Sequence, residues 1–283
     1  MDTETSLKQW HKIIHDPDDI KQFASIFSIR KRNLALCMYL TARRKYFPSL
    51  TAGTLILQRP IVTGGEYFEG HLYQNVLRLE TPIGSYLDKD NILPTEALAL
   101  YVLIDPKDTI KAMSKTLTTC VETFTNGEEL PNAYKLYREE ISKCNINNVK
   151  ESIKYRQIDI DTKQLEYIIQ TNDLLTKLNI PIILCVETRG GFHIVYSPDL
   201  NNSDKNINQS PEGFKQNSKD IGRSLHEFKQ TTMFTKPNIN GKMVKDYWFS
   251  ITNQPNIIMP GTYQGGFPTR IITLSDWIKD QLV

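Results

Sequence analysis

The stretch that most restricts the fold of this 283-residue chain runs from Tyr155 to Pro198. It begins with YRQIDID, which alternates like a strand, and continues with TKQLEYIIQTNDLLTKL, whose apolar residues fall on one helical face. Next, IPIILCVET is typical of a buried strand, RGG of a tight turn and FHIVYSP of a returning strand. This order predicts a sheet covered by helices, so the expected fold class is α/β in the broad sense (α+β).

The first half of the chain carries less regular patterns. Residues 18–46 are predicted to be helical, because apolar residues recur at helical spacing before and after a basic break. Residues 52–80 are predicted to be rich in strands, with glycines as breakers. An apolar strand, ALALYVLIDPKD, then ends at Asp105-Pro106, and TIKAMSKTLTTCVETF and NAYKLYREEISKC are predicted helices.

A polar, Asn-rich segment at residues 144–152 is the best candidate boundary between two lobes. After the central strands, the sequence predicts a polar loop at 199–218, a helix around 214–229 and strands at 243–251 and 256–259, before a turn, a strand and a short helix. The two expected lobes are an N-terminal α/β lobe of unassigned role over 1–150 and a C-terminal lobe over 151–283.

Composition and charge restrict the class of protein. The 34 Lys and Arg residues nearly balance 32 Asp and Glu residues, so binding to nucleic acid requires a local basic patch. The four cysteines form no CxxC pair, which argues against a zinc knuckle and suits a reducing compartment. The N-terminus has no apolar signal core, and no apolar run is long enough to cross a membrane. We therefore expect a soluble intracellular protein that does not enter a membrane.

Two carboxylates at the end of the first predicted C-terminal strand are candidate metal ligands. Asp159 and Asp161 are two residues apart, so they project from the same face of a strand. They repel each other unless a cation lies between them, and hard oxygen ligands prefer Mg²⁺ or Mn²⁺. The alternative is structural: Asp161 caps the following helix, and Asp159 is a solvated residue at a strand end.

The segment ETRGGFHIVY supplies candidate phosphate ligands. The pair Gly190-Gly191 allows backbone amides to approach a phosphate closely, and Thr188 and Arg189 precede it. His193 follows on the returning strand. The alternative for a single histidine on an apolar strand is a core residue whose hydrogen bonds are satisfied within the protein.

Two further residues complete the candidate set. A site for two metal ions needs a third acid, and MVKDYWFSI offers Asp246 on an apolar strand, whose alternative role is a charge at a sheet edge. The second Gly-rich turn, PGTYQGGFPTR, precedes Arg270, whose guanidinium could bind phosphate oxygens in a bidentate manner.

These motifs, in this order, resemble those of the archaeo-eukaryotic primase superfamily, in particular the polymerase domain of bacterial end-joining ligases and small primases. QIDID is similar to the family's hhhDxD strand, TRGGFHIVY to its small-residue turn and strand histidine, and VKDYW to its apolar strand ending in Asp. MPGTYQGGFPTRIITLSDW is similar to the turn, strand and helix that follow. The resemblance covers roughly residues 155–280.

The resemblance implies a two-lobed primase-polymerase-like fold, with an RRM-like sheet in the C-terminal lobe that carries the acidic site. It implies that Asp159, Asp161 and Asp246 bind two divalent metal ions. It further implies nucleotidyl transfer, in which a 3′-hydroxyl attacks the α-phosphate of a nucleoside triphosphate. The residues that hold the triphosphate would be Thr188, Arg189, Gly190, Gly191, His193 and Arg270.

The chain departs from the family at the triphosphate-binding motifs, where many members have a serine or lysine beside the histidine turn. Here the neighbours are Thr188 and Arg189, and Tyr263-Gln264 stands where a positive residue often follows the last turn. Two other functions therefore stay open. One is a nucleic-acid-binding or assembly subunit that is catalytically silent, with a protein partner bound through the N-terminal lobe. The other is a metal-dependent phosphoesterase.

The N-terminal lobe contributes two more candidates. Asp105 and Asp108 also follow an apolar strand, but Pro106 breaks it, so we expect a connection in which Asp108 or Thr109 caps the next helix. Two basic clusters with aromatic neighbours could follow a phosphate backbone from one helix face, or could simply be solvated. The clusters comprise Arg30, Lys31 and Arg32, and Arg43, Arg44 and Lys45.

Overall fold

A computed structural model gives the fold as two compact units that are interleaved along the chain. Unit 1 comprises Met1–Glu151 and Asn256–Arg270, and unit 2 comprises Ser152–Pro255 and Ile271–Val283. The predicted lobes differ from this division, since residues 256–270 belong to unit 1 rather than to the C-terminal lobe. The structure describes residues 9–129, 132–146, 155–197, 211–237, 243–253 and 255–282. Most of the predicted boundary at 144–152 and the start of the predicted loop at 199–218 lie outside the described residues.

The helices and strands of the first part of the chain alternate irregularly. They are α1 (Pro17–Ile26), β1 (Leu34–Arg43), β2 (Thr54–Gln58), β3 (Ile61–Thr63), α2 (Phe68–Leu77), β4 (Leu87–Asp88), β5 (Asn91–Ile92), β6 (Leu98–Asp108), α3 (Thr109–Thr125) and α4 (Ala133–Glu140).

The second part contains the predicted strand–helix–strand–turn–strand segment. Its elements are β7 (Arg156–Ile160), α5 (Leu165–Lys177), β8 (Ile182–Glu187), β9 (Phe192–Tyr196), α6 (Pro211–Thr231), β10 (Met233–Pro237), β11 (Met243–Tyr247), β12 (Phe249–Thr252), β13 (Asn256–Ile258), β14 (Tyr263–Gln264), β15 (Phe267–Pro268), β16 (Arg270–Ile271) and α7 (Leu274–Leu282).

The core of unit 1 is a seven-stranded sheet in the order β15-β14-β6-β1-β2, with β13 also paired to β6 and β3 also paired to β1. The helix predicted over 18–46 is therefore wrong beyond Ile26, because β1 is a central strand between β6 and the β2 and β3 strands. LALCMYL is almost continuously apolar, and such a run fits a buried strand as well as a buried helix.

The region predicted to be rich in strands, residues 52–80, is mixed. It forms β2 and β3, but residues Phe68–Leu77 form the helix α2. Phe68, Leu72 and Val76 are buried at intervals of one helical turn, so tertiary packing selects the helix there.

Strand β6 does not end at Pro106, as the sequence suggested, but continues to Asp108. Its pairing with β1 is irregular around this point, because Leu103 pairs with Cys37 whereas Lys107 pairs with Ala35. A bulge of this kind accommodates a proline that cannot donate a ladder hydrogen bond. The predicted cap is confirmed, since Asp108 Oδ1 accepts a hydrogen bond from the Lys111 amide at 3.0 Å.

Asp105 on β6 gives the first testable prediction. Burial raises the pKa of its carboxyl to about 6, and Lys107 opposes the shift. Because ionisation of Asp105 is less favourable in the folded state, the free energy of unfolding decreases as the pH rises from the ordinary carboxyl pKa through about 6. With partial exposure taken into account, we expect Asp105→Asn to stabilise the protein by about 1 kcal/mol near pH 8 and by almost nothing near pH 4.

The measurement is thermal unfolding across this pH range, with the exposed Asp90→Asn as a matched control. A gain at Asp105→Asn that is the same at both ends of the range would contradict the electrostatic cause.

Helix α3 carries an exposed apolar stripe in unit 1. Exposed stripes of this kind are characteristic of interaction surfaces in proteins. The expectation of a protein partner for the N-terminal lobe stays a prediction. The stripe consists of Ile110, Met113, Leu117, Val121 and Phe124, each at least 50% exposed.

Unit 2 is built on a sheet in the order β12-β7-β9-β8-β16, in which the β12–β7, β7–β9 and β9–β8 pairs are antiparallel. The elements from β7 to β12 follow a βαββαβ sequence apart from the β10–β11 ribbon, and this connectivity is that of a ferredoxin-like unit. The predicted order of strands and helices is confirmed here, and so is the α+β class. The strand predicted at 243–251 is two strands, β11 in a separate ribbon and β12 in the sheet.

One face of the unit 2 sheet packs against its helices. Ile158, Ile160 and Phe192 on the strands join a buried cluster that includes Ile168 of α5 and Trp277 of α7. The Phe192 and Trp277 rings meet edge to face, with centroids 5.1 Å apart. Within the described residues, no helix combines the length and apolar character needed to cross a lipid bilayer.

Candidate functional site

The acidic pair lies where β7 ends. Because Ile158 and Ile160 point into the helix-covered core, strand alternation places Asp159 and Asp161 towards the opposite face. The Asp159 side chain is 32% exposed, and Asp161 is exposed just beyond the strand. The Asp161 amide donates a hydrogen bond to the Trp248 carbonyl at 2.8 Å, so β-type pairing continues through this residue.

Strand register brings Asp159 and His193 together. Asp159 pairs with His193 on one side and with Ser250 of β12 on the other. His193 Nε2 lies 3.4 Å from Asp159 Oδ1, and the histidine is buried. Both residues are candidates from local sequence patterns, but those patterns do not indicate that they are cross-strand neighbours.

The turn between β8 and β9 lies beside the end of β7. The Thr188 amide donates to the Gly191 carbonyl at 2.9 Å, and the Gly191 amide donates to Thr188 Oγ1 at 3.1 Å. A Cβ atom at Gly191 would collide with the Ile160 carbonyl oxygen, whereas a Cβ at Gly190 would meet no neighbouring atom within 4 Å in the part of the chain that the structure describes. Gly191 is therefore required for strand packing, and Gly190 with the exposed Arg189 forms the accessible part of the turn.

A buried ion pair that was not predicted from the sequence lies beside this turn. Lys163 Nζ contacts Glu187 Oε1 at 2.7 Å, and the Glu187 side chain is only 6% exposed. Lys163 lies just after the acidic pair and Glu187 just before the turn, so the ion pair links the two segments. A lysine two residues after the DxD motif was the signal that could have indicated it.

Asp246 is not on the strand beside the acidic pair. It lies on β11 opposite Phe234 in the two-stranded β10–β11 ribbon, where its Oδ1 accepts from the Tyr247 amide at 2.9 Å. On β12, which is the strand beside β7 on the side away from β9, the residue paired with Asp159 is Ser250. Among the residues that the structure describes, no three His, Cys, Asp or Glu side chains are grouped to hold a metal ion.

The second Gly-rich turn has a local structural role. Gly265 and Gly266, both at positive φ, form the two-residue loop of the β14–β15 hairpin in unit 1. Arg270 is exposed on β16, the edge strand beside β8, so β8 and β9 separate it from β7. The structure thus does not place Arg270 next to Asp159.

The two basic clusters do not share a helix face. Arg30, Lys31 and Arg32 are exposed before β1. The second cluster lies at the other end of this ten-residue strand, about 30 Å away at the usual rise per residue. Arg44 of that cluster donates hydrogen bonds to the Leu50 and Thr51 carbonyls, at 3.1 and 2.7 Å, and so fastens a loop.

Comparisons with known proteins gave no match to any family model, any curated protein or any solved structure. The resemblance to the primase superfamily stays a prediction.

Proposed function

We propose that unit 2 is the catalytic part of a primase-polymerase-like nucleotidyltransferase that adds nucleotides to the 3′-hydroxyl of a nucleic acid. The observation that carries the proposal is the pairing of Asp159 with His193 on adjacent central strands, 3.4 Å apart at their side chains. Asp161 and the Thr188–Gly191 turn lie at the same end of the sheet, because β7 and β9 are antiparallel.

The residues at this end of the sheet fit Mg²⁺ or Mn²⁺ in combination with a nucleotide. Asp159 and Asp161 offer carboxylate oxygens from one face, and Asp159 is partly open to solvent. Mg²⁺ in proteins is commonly held by one or two carboxylates together with substrate phosphates, so a complete protein cage is unnecessary. Bound there, the cation would supply charge neutralisation at the phosphates.

In the proposed nucleotidyl transfer, each group beside the carboxylates has a role. His193 and the Gly190 amide would donate hydrogen bonds to triphosphate oxygens, and Arg189 would add positive charge. In the transfer, the 3′-hydroxyl oxygen bonds to the α-phosphorus, and the bond from that phosphorus to the bridging oxygen breaks. Pyrophosphate leaves with the electron pair, and the hydroxyl proton passes to solvent. Such transfer depends mainly on positioning and charge stabilisation.

A second candidate is a catalytically silent subunit that binds nucleic acid. It is favoured by one observation, since Ser250 rather than a third acid stands opposite Asp159. In this case binding would be independent of divalent cations and of both carboxylates. A phosphoesterase would use the same carboxylates with water as the nucleophile.

The test is extension of labelled DNA and RNA primers with nucleoside triphosphates and Mn²⁺. We expect extension by the wild type and a loss of about 100-fold or more in Asp159→Asn, which keeps the side-chain shape but removes the charge. Asp173→Asn on α5 is the matched control, because it removes an exposed carboxylate from the same unit and should retain full activity.

The other outcomes separate the candidates. If the folded wild type extends neither primer, the nucleotidyltransferase proposal is rejected, and binding that ignores metal supports the silent subunit. Hydrolysis of phosphate esters without a nucleoside triphosphate, lost in Asp159→Asn, would support the phosphoesterase.

A further inference from the structure

A concave pocket of about 470 Å³ lies on one face of the unit 1 sheet. Its walls come from β1, β2, β6 and β13 and from the connection that contains Arg59. Along β1, Met38, Leu40 and Ala42 are buried, so alternation directs Tyr39, Thr41 and Arg43 to the pocket face. None of the residues that line this pocket, all within the described part of the chain, is acidic.

Two arginine–tyrosine pairs define the chemistry of the pocket. Arg43 Nη1 donates to Tyr101 Oη at 2.5 Å, and its Cζ lies 5.6 Å from the centre of that ring. Arg59 Cζ lies 5.8 Å from the Tyr39 ring, and Tyr39 pairs with Tyr101 across the two strands. Neither guanidinium forms an ion pair with a described carboxylate, so the pocket concentrates positive charge beside aromatic surface.

The same pattern continues beyond the pocket along α4. Arg138 Nε donates to the Arg59 carbonyl at 3.0 Å, and its Cζ lies 5.4 Å from the exposed Tyr134 ring. A second concavity of about 320 Å³ is lined by Arg59, Tyr134 and Arg138, with Glu139 as an acidic neighbour. The arginine–tyrosine pairs thus extend over two adjoining concavities rather than one.

We propose that this surface binds single-stranded nucleic acid, with phosphates against Arg59 and Arg43 and a base stacked on Tyr39. Guanidinium groups match phosphate oxygens in a bidentate manner, and aromatic rings stack on bases of any sequence. The succession of pairs suits several consecutive nucleotides better than one. The site is distinct from the two basic clusters selected from the sequence, and it does not depend on the proposed catalytic activity.

The test is fluorescence anisotropy of labelled single strands of about 15 nucleotides, DNA and RNA, measured at several salt concentrations without divalent cations. We expect Arg59→Ala to weaken binding about 10-fold and to reduce the salt slope by about 0.7, the value for one phosphate contact on a single strand. We expect Tyr39→Leu to weaken binding by a similar factor with an unchanged salt slope, because stacking releases no counterions.

Arg223→Ala is the matched control, since it removes an exposed arginine from unit 2 and should leave affinity unchanged. Thermal unfolding of each variant verifies that it is folded. Affinity that is unchanged in both Arg59→Ala and Tyr39→Leu would overturn the proposal, as would an equal loss in Arg223→Ala. A mononucleotide that binds this pocket as tightly as the strand would replace the strand as the ligand.

Discussion

Gly191→Ala is expected to destabilise the protein by about 3 kcal/mol, an effect in the upper range for single substitutions. The added methyl would overlap the Ile160 carbonyl oxygen and would lie 2.8 Å from both the Ile160 carbonyl carbon and the Thr162 amide. All three atoms are backbone, so no side chain can turn aside to make room. Relief requires β9 and its turn to shift away from β7.

The neighbouring glycine provides the matched control. Gly190→Ala adds the same methyl group one residue earlier, where no neighbouring atom of the described residues lies within 4 Å. We expect its effect to stay below about 0.5 kcal/mol, as for surface substitutions in general. The measurement is urea unfolding followed by tryptophan fluorescence, because Trp248 and Trp277 are buried in unit 2. Equal losses in the two variants would show that the close approach to Ile160 is not the cause.

Lys163→Met is expected to destabilise the protein by about 2 kcal/mol, because it removes the ammonium group from a carboxylate that is nearly inaccessible to water. Glu187 has a side-chain exposure of 6%, against 29% for Lys163. Removing one member of a buried ion pair leaves the other charge buried with one partner fewer, which costs more than the pair itself contributed. The partial exposure of Lys163 lowers the expected value below that for a fully buried pair.

A double-mutant cycle checks the electrostatic cause. We expect Lys163→Met combined with Glu187→Gln to be more stable than Lys163→Met alone, because the second change removes the buried charge. The free energies of unfolding come from the same urea titration. Additive losses from the two substitutions would mean that their side chains do not interact, and the explanation would be wrong.

The sequence predicted unit 2 better than unit 1, and the reason is physical. In residues 155–196, segments with the apolar period of a strand and a segment with that of a helix follow one another clearly. The strands are short, and turn residues or the helix separate them. In contrast, LALCMYL in β1 is almost continuously apolar, and such a run carries no period that separates helix from strand. Its state depends on β6, which lies far along the chain and is invisible to local patterns.

The candidate site was predicted in part, for the same reason. Local spacing was enough to select Asp159, Asp161 and the Gly190-Gly191 turn. The pairing of Asp159 with His193 and Ser250 depends on strand register, which no local spacing encodes. The arginine–tyrosine pocket could not be predicted from local patterns, because residues from four separated strands form it.

The interleaving of the two units has a consequence for synthesis of the chain. The pairing partners of β6 in β13 and β14 are translated only after residues 152–255, which belong to unit 2. Unit 2 in turn needs α7, which supplies Trp277 to its core and is translated after β13 and β14. Unit 1 cannot be finished until most of unit 2 has been translated, and unit 2 cannot be finished until all of unit 1 has been translated. A nascent chain therefore carries two incomplete units until residues 256–282 emerge, and the two folds are then completed in close succession.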